Sequence, residues 1–145
     1  MQSLKGRTAL VTGSGRNIGK SIALMYASEG ANVIINNKSN IEELNTTAKE
    51  IKDLGVEVLA IQADISNEQE VNSMIGSGLE KFGTIDILVN NAALRPGTPF
   101  IDMQYSDWKK VTGIDLDGAF LCSKLCVPGM ISNSWGRIIN VAGVM

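Results

Sequence analysis

Arg7-Thr8-Ala9-Leu10-Val11-Thr12-Gly13-Ser14-Gly15-Arg16-Asn17-Ile18-Gly19 decides how the rest of the chain is read. Thr8 to Val11 form the short apolar run of a buried parallel strand, Gly13 and Gly15 interrupt it, and a helical pattern begins at Ile18. Strand, glycine turn and helix in that order describe a phosphate cradle. Gly13 and Gly15 let the backbone turn tightly and come close to a ligand, while the free N–H groups opening the helix offer donors and partial positive charge. Gly19, one turn in, lets the helix lie close against the strand. The candidate phosphate-contacting set is therefore Gly13, Ser14, Gly15, Arg16, Asn17, Ile18 and Gly19. Any one glycine also suits a plain turn, and it is the placement between strand and helix that points to a nucleotide.

Outward from this stretch the chain alternates. Ile18, Ile22, Met25 and Tyr26 repeat at helical spacing, Gly30 stops the helix, and Val33 to Ile35 read as a second buried strand. In dinucleotide folds an acidic residue just past that strand holds the adenosine ribose of NAD and repels the extra phosphate of NADP. This chain has Asn36, Asn37, Lys38 and Ser39 there, with no acid. Lys38, with Arg16 and the Ser39 hydroxyl, is placed to pair with a 2′-phosphate, so NADP is expected in preference to NAD. The other reading makes Lys38 and Arg16 ordinary solvated charges.

A helix is expected over Ile41–Leu54 with Asn40 as N-cap, and a third strand over Val56–Ile61 leads into Ala63-Asp64-Ile65-Ser66. A further helix at Glu68–Phe82, with Ser66 or Asn67 as its N-cap, precedes a fourth strand at Ile85–Val89. Strands and helices alternating at this spacing predict an α/β fold with a doubly wound parallel sheet and right-handed crossovers. Asn90-Asn91-Ala92-Ala93 follow the fourth strand, where small residues leave room for a ligand. Leu94–Phe100 reads as a loop walling the substrate side, Trp108–Met130 as a long helix, and Gly136–Val141 as a fifth strand.

The 145 residues, 44% hydrophobic and 19% charged, are expected to make one globular domain. A net charge of −2 without basic runs makes nucleic acid and anionic membranes poor partners. No stretch is apolar enough to cross a bilayer, and the N-terminus lacks the apolar core of a signal peptide, so a cytoplasmic protein is expected. Cys122 and Cys126 lie four apart on one helical face and read as buried small hydrophobes. With no His, neither a metal site nor a His-based triad is expected.

These motifs resemble the short-chain dehydrogenase/reductase family, whose cofactor turn is Thr-Gly-x-x-x-Gly-x-Gly. Thr12, Gly13 and Gly19 match it, and Asn17 stands at the middle glycine, where its tolerance of a left-handed backbone suits it. Asp64 matches an Asp that contacts adenine in the family, with Ile65 flanking the ring. Asn90-Asn91-Ala92-Ala93 matches Asn-Asn-Ala-Gly at three of four positions, which gives Asn91, Ala92 and Ala93 the ribose and nicotinamide side of the cofactor. The resemblance implies a Rossmann-type sheet, NADP as cofactor with NAD second, and a small carbonyl or alcohol substrate. A 3-oxoacyl thioester reductase is the member it first suggests. The helix at 108–130, apolar around much of its circumference, corresponds to one that packs between subunits, which implies a homo-oligomer; burial within a monomer is the other reading.

The family transfers hydride using a Tyr as proton donor, a Lys four residues later, a Ser that hydrogen-bonds the substrate oxygen, and an Asn in the long helix. The Tyr and Lys are expected past Met145. Tyr105 and Lys109 have the right separation but match a different part of the pattern. Asp115 stands at the Asn position and is the one catalytic candidate; Gly143 stands at the Ser position and has no hydroxyl. Two expectations follow. The chain is the cofactor half of a longer reductase, with the sheet cut after its fifth strand, or it is a nucleotide-binding or oligomerising module without turnover.

Overall fold

A computed structural model describes residues 3–143 of the chain. Five strands, β1 (Thr8–Val11), β2 (Asn32–Asn37), β3 (Val58–Gln62), β4 (Ile87–Asn90) and β5 (Arg137–Asn140), form one sheet in the order β3-β2-β1-β4-β5. Every pairing is parallel, with Ala9 beside Val33 on one side and Ile87 on the other. The chain moves outward from β1 to β3, then crosses back to place β4 on the other side of β1. That reversal opens a crevice at the carboxyl ends of β1 and β4.

Strand alternation divides the core in two. Ala9, Val11, Val33, Ile35, Ile87 and Val89 face one layer, where they meet Ala23 and Ala27 of α1 (Asn17–Ser28) and Leu44 and Ile51 of α2 (Ile41–Asp53). Leu10, Ile34 and Leu88, one residue out of phase, face the other. There they meet Val71, Met74 and Ile75 of α3 (Glu68–Phe82) and Cys122, Cys126 and Met130 of the last helix. Burial of each large aliphatic side chain is worth roughly 1.5–3 kcal/mol. The near-continuous apolar strands are thus what a sheet covered on both faces requires.

The helix ends follow local chemistry. Asn40 accepts from the Glu43 N–H at 3.1 Å, and Asn67, rather than Ser66, accepts from Gln69 and Glu70 to cap α3. The long helix departs from expectation. It begins at Tyr105 rather than Trp108 and reaches Ser132, in three stretches: α4 (Tyr105–Thr112), a π-helical stretch (Gly113–Asp117) and α5 (Gly118–Ser132). Asp107 in the first turn of α4, with Lys109 and Lys110 in its last, complements the helix dipole and extends the helix into a polar segment that apolar periodicity does not register. Pro128 lies inside α5.

Candidate functional site

A cleft of about 750 Å³ opens at the carboxyl ends of the strands. Its floor is the turn between β1 and α1. Gly13 adopts φ +62° with the Ala92 backbone packed against it, a conformation and a space that exclude a side chain. A Cβ at Gly19 would fall on the Gly13 carbonyl and the Asn91 side chain, so helix and turn meet at backbone distance. Asn17 has φ +49°, the left-handed conformation expected of a glycine at its position.

Thr12 and Asn91 fasten this turn to β4. The Thr12 hydroxyl donates to the Val89 carbonyl at 3.3 Å and accepts from the N–H groups of Asn91 and Ala92 at 3.0 and 3.1 Å. Asn91 Nδ2 donates to the carbonyls of Thr12 and Gly13 at 2.9 and 3.1 Å. On the other side Asn36 Nδ2 donates to the Ala63 carbonyl at 3.0 Å, and its backbone exchanges bonds with Ser14. Ser14 is fully buried, its hydroxyl donating to the Val11 carbonyl at 2.7 Å, and it does not line the cleft. Thr12 and Asn36 were not among the expected site residues. Both carry buried polar side chains, Thr12 just past β1 and Asn36 near the end of β2, and only strand pairing reveals their partners.

The cleft also brings together Gly15, Arg16, Ile18, Asn37, Lys38, Ser39, Asp64, Ile65 and the Asn91–Ala93 segment. Asn37 Nδ2 donates to the Asn40 carbonyl at 2.6 Å, while its Oδ1 is buried without a partner. Lys38 Nζ lies 2.7 Å from Asp64 Oδ2, and Arg16 lies 3.8 Å from Glu43. The hydrogen bond and charge of Asp64 raise the Lys38 pKa. Burial pushes the Asp64 carboxyl up, but hydrogen bonds from Lys38 and Ser66 together outweigh it and hold the group below its ordinary value. Arg95 is the third cation on the cleft wall, and among the described residues no carboxylate lies within 4.0 Å of it. Sequence reading passed it over as part of a loop.

A second cleft of about 450 Å³ adjoins the first and is lined by Ala92, Ala93, Ile114, Asp115, Ser123 and Asn140, among others. Asp115 accepts a hydrogen bond from the Leu94 N–H at 2.9 Å, tying the π-helical stretch to the loop after β4. This is an acceptor's role, which an ionised carboxylate fills and an amide oxygen would fill as well. Asn90, 8% exposed, donates to Asn140 Oδ1 at 2.8 Å. Tyr105 is 76% exposed at the start of α4, and neither it nor Lys109 lines either cleft. A Cβ at Gly143 would land on the Arg95 guanidinium. Among the described residues no helix is long and apolar enough to cross a membrane, and no group of three potential metal ligands gathers.

A parallel sheet wound about β1, with a glycine turn locked to the end of β4, defines a dinucleotide-binding architecture. The family model described as short chain dehydrogenase matches residues 7–145, and the chain belongs to that family. It is 39% identical over 144 residues to a 3-oxoacyl-acyl-carrier-protein reductase of Synechocystis sp., covering 99% of this chain and 58% of that relative, so it spans little more than half the length of that protein. Among solved structures, a metagenomic short-chain oxidoreductase in complex with NADP superposes with a TM-score of 0.93 at 31% identity, covering 99% of this chain and 65% of the other. An NAD+-bound xylitol dehydrogenase superposes with a TM-score of 0.90 at 34% identity, covering 97% and 54%.

Proposed function

We propose that residues 1–145 form one cofactor-binding domain of an NAD(P)-dependent oxidoreductase, and that this domain takes NADP in preference to NAD. The observation that carries the reading is the cradle itself, in which Gly13 and Gly19 let the turn, α1 and the end of β4 pack at backbone distance and the Asn91 amide ties the turn to β4. The turn from Gly13 to Gly19 receives the pyrophosphate on the open N–H groups of α1. Asn37, whose buried Oδ1 lacks a partner, accepts from an adenosine ribose hydroxyl, and Asp64 and Ile65 flank the adenine. Lys38, Ser39 and Arg16 surround the 2′-phosphate. Asn91, Ala92 and Ala93 line the ribose on the nicotinamide side.

Bound there, the nicotinamide supplies or accepts the hydride, exchanged with the carbonyl or alcohol carbon of a small-molecule substrate in the full-length protein. Asp115 serves this chemistry by holding the Leu94 N–H, and with it the loop that walls the substrate side. Leu116 of the π-helical stretch and Phe120 of α5, 67% and 60% exposed at the rim of the second cleft, offer an apolar surface for self-association. A nucleotide-binding or oligomerising module without turnover is the second reading, and Gly143, which has no hydroxyl to offer, is compatible with either.

Titration of NADPH and NADH by fluorescence tests the cofactor assignment. Lys38→Asp is expected to weaken NADPH at least about tenfold while leaving NADH within about twofold. Equal affinities before and after the substitution overturn the NADP preference, and failure of both nucleotides to bind overturns the cofactor role.

A further inference from the structure

Three cations line the main cleft, and they are not equivalent. Arg16 and Lys38, at the ends of β1 and β2, each have a carboxylate within 4.0 Å. Arg95 comes from the loop after β4, and Ile114, Val141 and Ala142 line the same cleft. No carboxylate compensates it among the described residues. Its guanidinium fills the space a side chain at 143 would occupy, since a Cβ there would land on Nη2 with Nη1 3.0 Å away. Gly143 therefore makes room for Arg95. The loop is held from its other side by the bond from the Leu94 N–H to Asp115.

We propose that Arg95 is a substrate-binding residue that holds a carboxylate carried by the substrate next to its reacting carbon; this rests on the oxidoreductase reading above. A guanidinium keeps its proton at any physiological pH, so Arg95 does not serve as the proton donor. Its planar pair of N–H groups suits bidentate capture of a carboxylate, and a cation with no carboxylate of its own favours an anion over a neutral carbonyl. The substrate class is accordingly an oxo or hydroxy acid with a free carboxylate. A neutral acyl thioester lacks the group that Arg95 would bind.

The test uses the full chain as its gene encodes it, saturated with NADPH, and compares binding of acetoacetate with that of its neutral near-isostere acetoacetamide. The wild type is expected to bind the carboxylate at least about tenfold more tightly than the amide. Arg95→Met is expected to abolish that preference and Arg95→Lys to retain part of it, a point charge replacing a fork. Gly143→Ala, whose methyl displaces the guanidinium, is expected to reduce the preference without removing the charge. A wild type that does not distinguish the two ligands, or an Arg95→Met protein that still does, overturns the assignment of Arg95. Failure to bind NADPH at all overturns the underlying oxidoreductase reading instead.

Discussion

Asn17 shows how a departure from a motif can preserve its geometry. At φ +49° it takes the conformation the turn demands at a small cost, because its short polar side chain tolerates the left-handed region. Lys38 shows the converse, in which a residue of expected type has an unexpected partner. The Asp64 carboxylate at 2.7 Å competes with a 2′-phosphate for the same ammonium. Asp64→Asn frees Lys38 and is expected to raise the ratio of NADH to NADPH dissociation constants about threefold to tenfold, read by the same titrations. The ion pair also sets a pH dependence. The folded-state pKa of Asp64 is lowered, so its stabilising effect is present above the ordinary carboxylate value of 3.8 and is lost as pH falls through the lower folded value. Urea midpoints of wild type and Asp64→Asn should therefore differ most near neutrality and converge in strong acid.

The element that most shapes the substrate side is the helix from Tyr105 to Ser132. Its π-helical stretch, Gly113–Asp117, sits where Ile114 and Asp115 face the clefts, and it ends against Gly118. Gly118 lies so close to Ile65 that a Cβ would come within 2.7 Å of Cδ1 and 3.0 Å of the carbonyl oxygen. Because one of those neighbours is backbone, the helix itself must move. Gly118→Val is expected to destabilise the fold by about 1–3 kcal/mol and to weaken nucleotide binding by displacing Ile65 from the cleft wall. Denaturant melts and NADPH titration check the two effects separately. Apolar periodicity signalled this helix but neither its polar first turn, which rests on charges suited to the helix dipole, nor its widened middle, which meets residues 65 and 94.

Across the whole molecule, two half-cores are bonded through one sheet, and the cysteines belong to the half beneath α3 and α5. Burial pushes the Cys122 thiol up to about 11, and burial together with the neighbouring Cys122 pushes Cys126 up to about 12. Since both exceed the ordinary 9.0, the neutral thiols favour the folded state below that pH, and stability declines as pH rises from 9 towards 11 and 12. Thiol titration at pH 8 should find both groups unreactive in the native protein and both reactive in urea. Rapid reaction of the native protein would show that the face of α5 carrying them is not packed against α3 and the sheet.

The sequence by itself determined the order of elements, the parallel sheet and the glycine turn, because apolar period, caps and backbone conformation are local properties written within a few residues. It also singled out Lys38, through the absence of an acid past the second strand, and Asp64 and Asn91, through a resemblance that carries their positions in its motifs. Tertiary structure alone decided how those residues are paired. Arg7 meets Asp86 across 79 positions of sequence, Asn91 donates to Thr12 and Gly13, Lys38 faces Asp64, and Arg95 stands against Gly143. Such contacts join the ends of strands that become neighbours only when the sheet assembles, so no spacing along the chain records them.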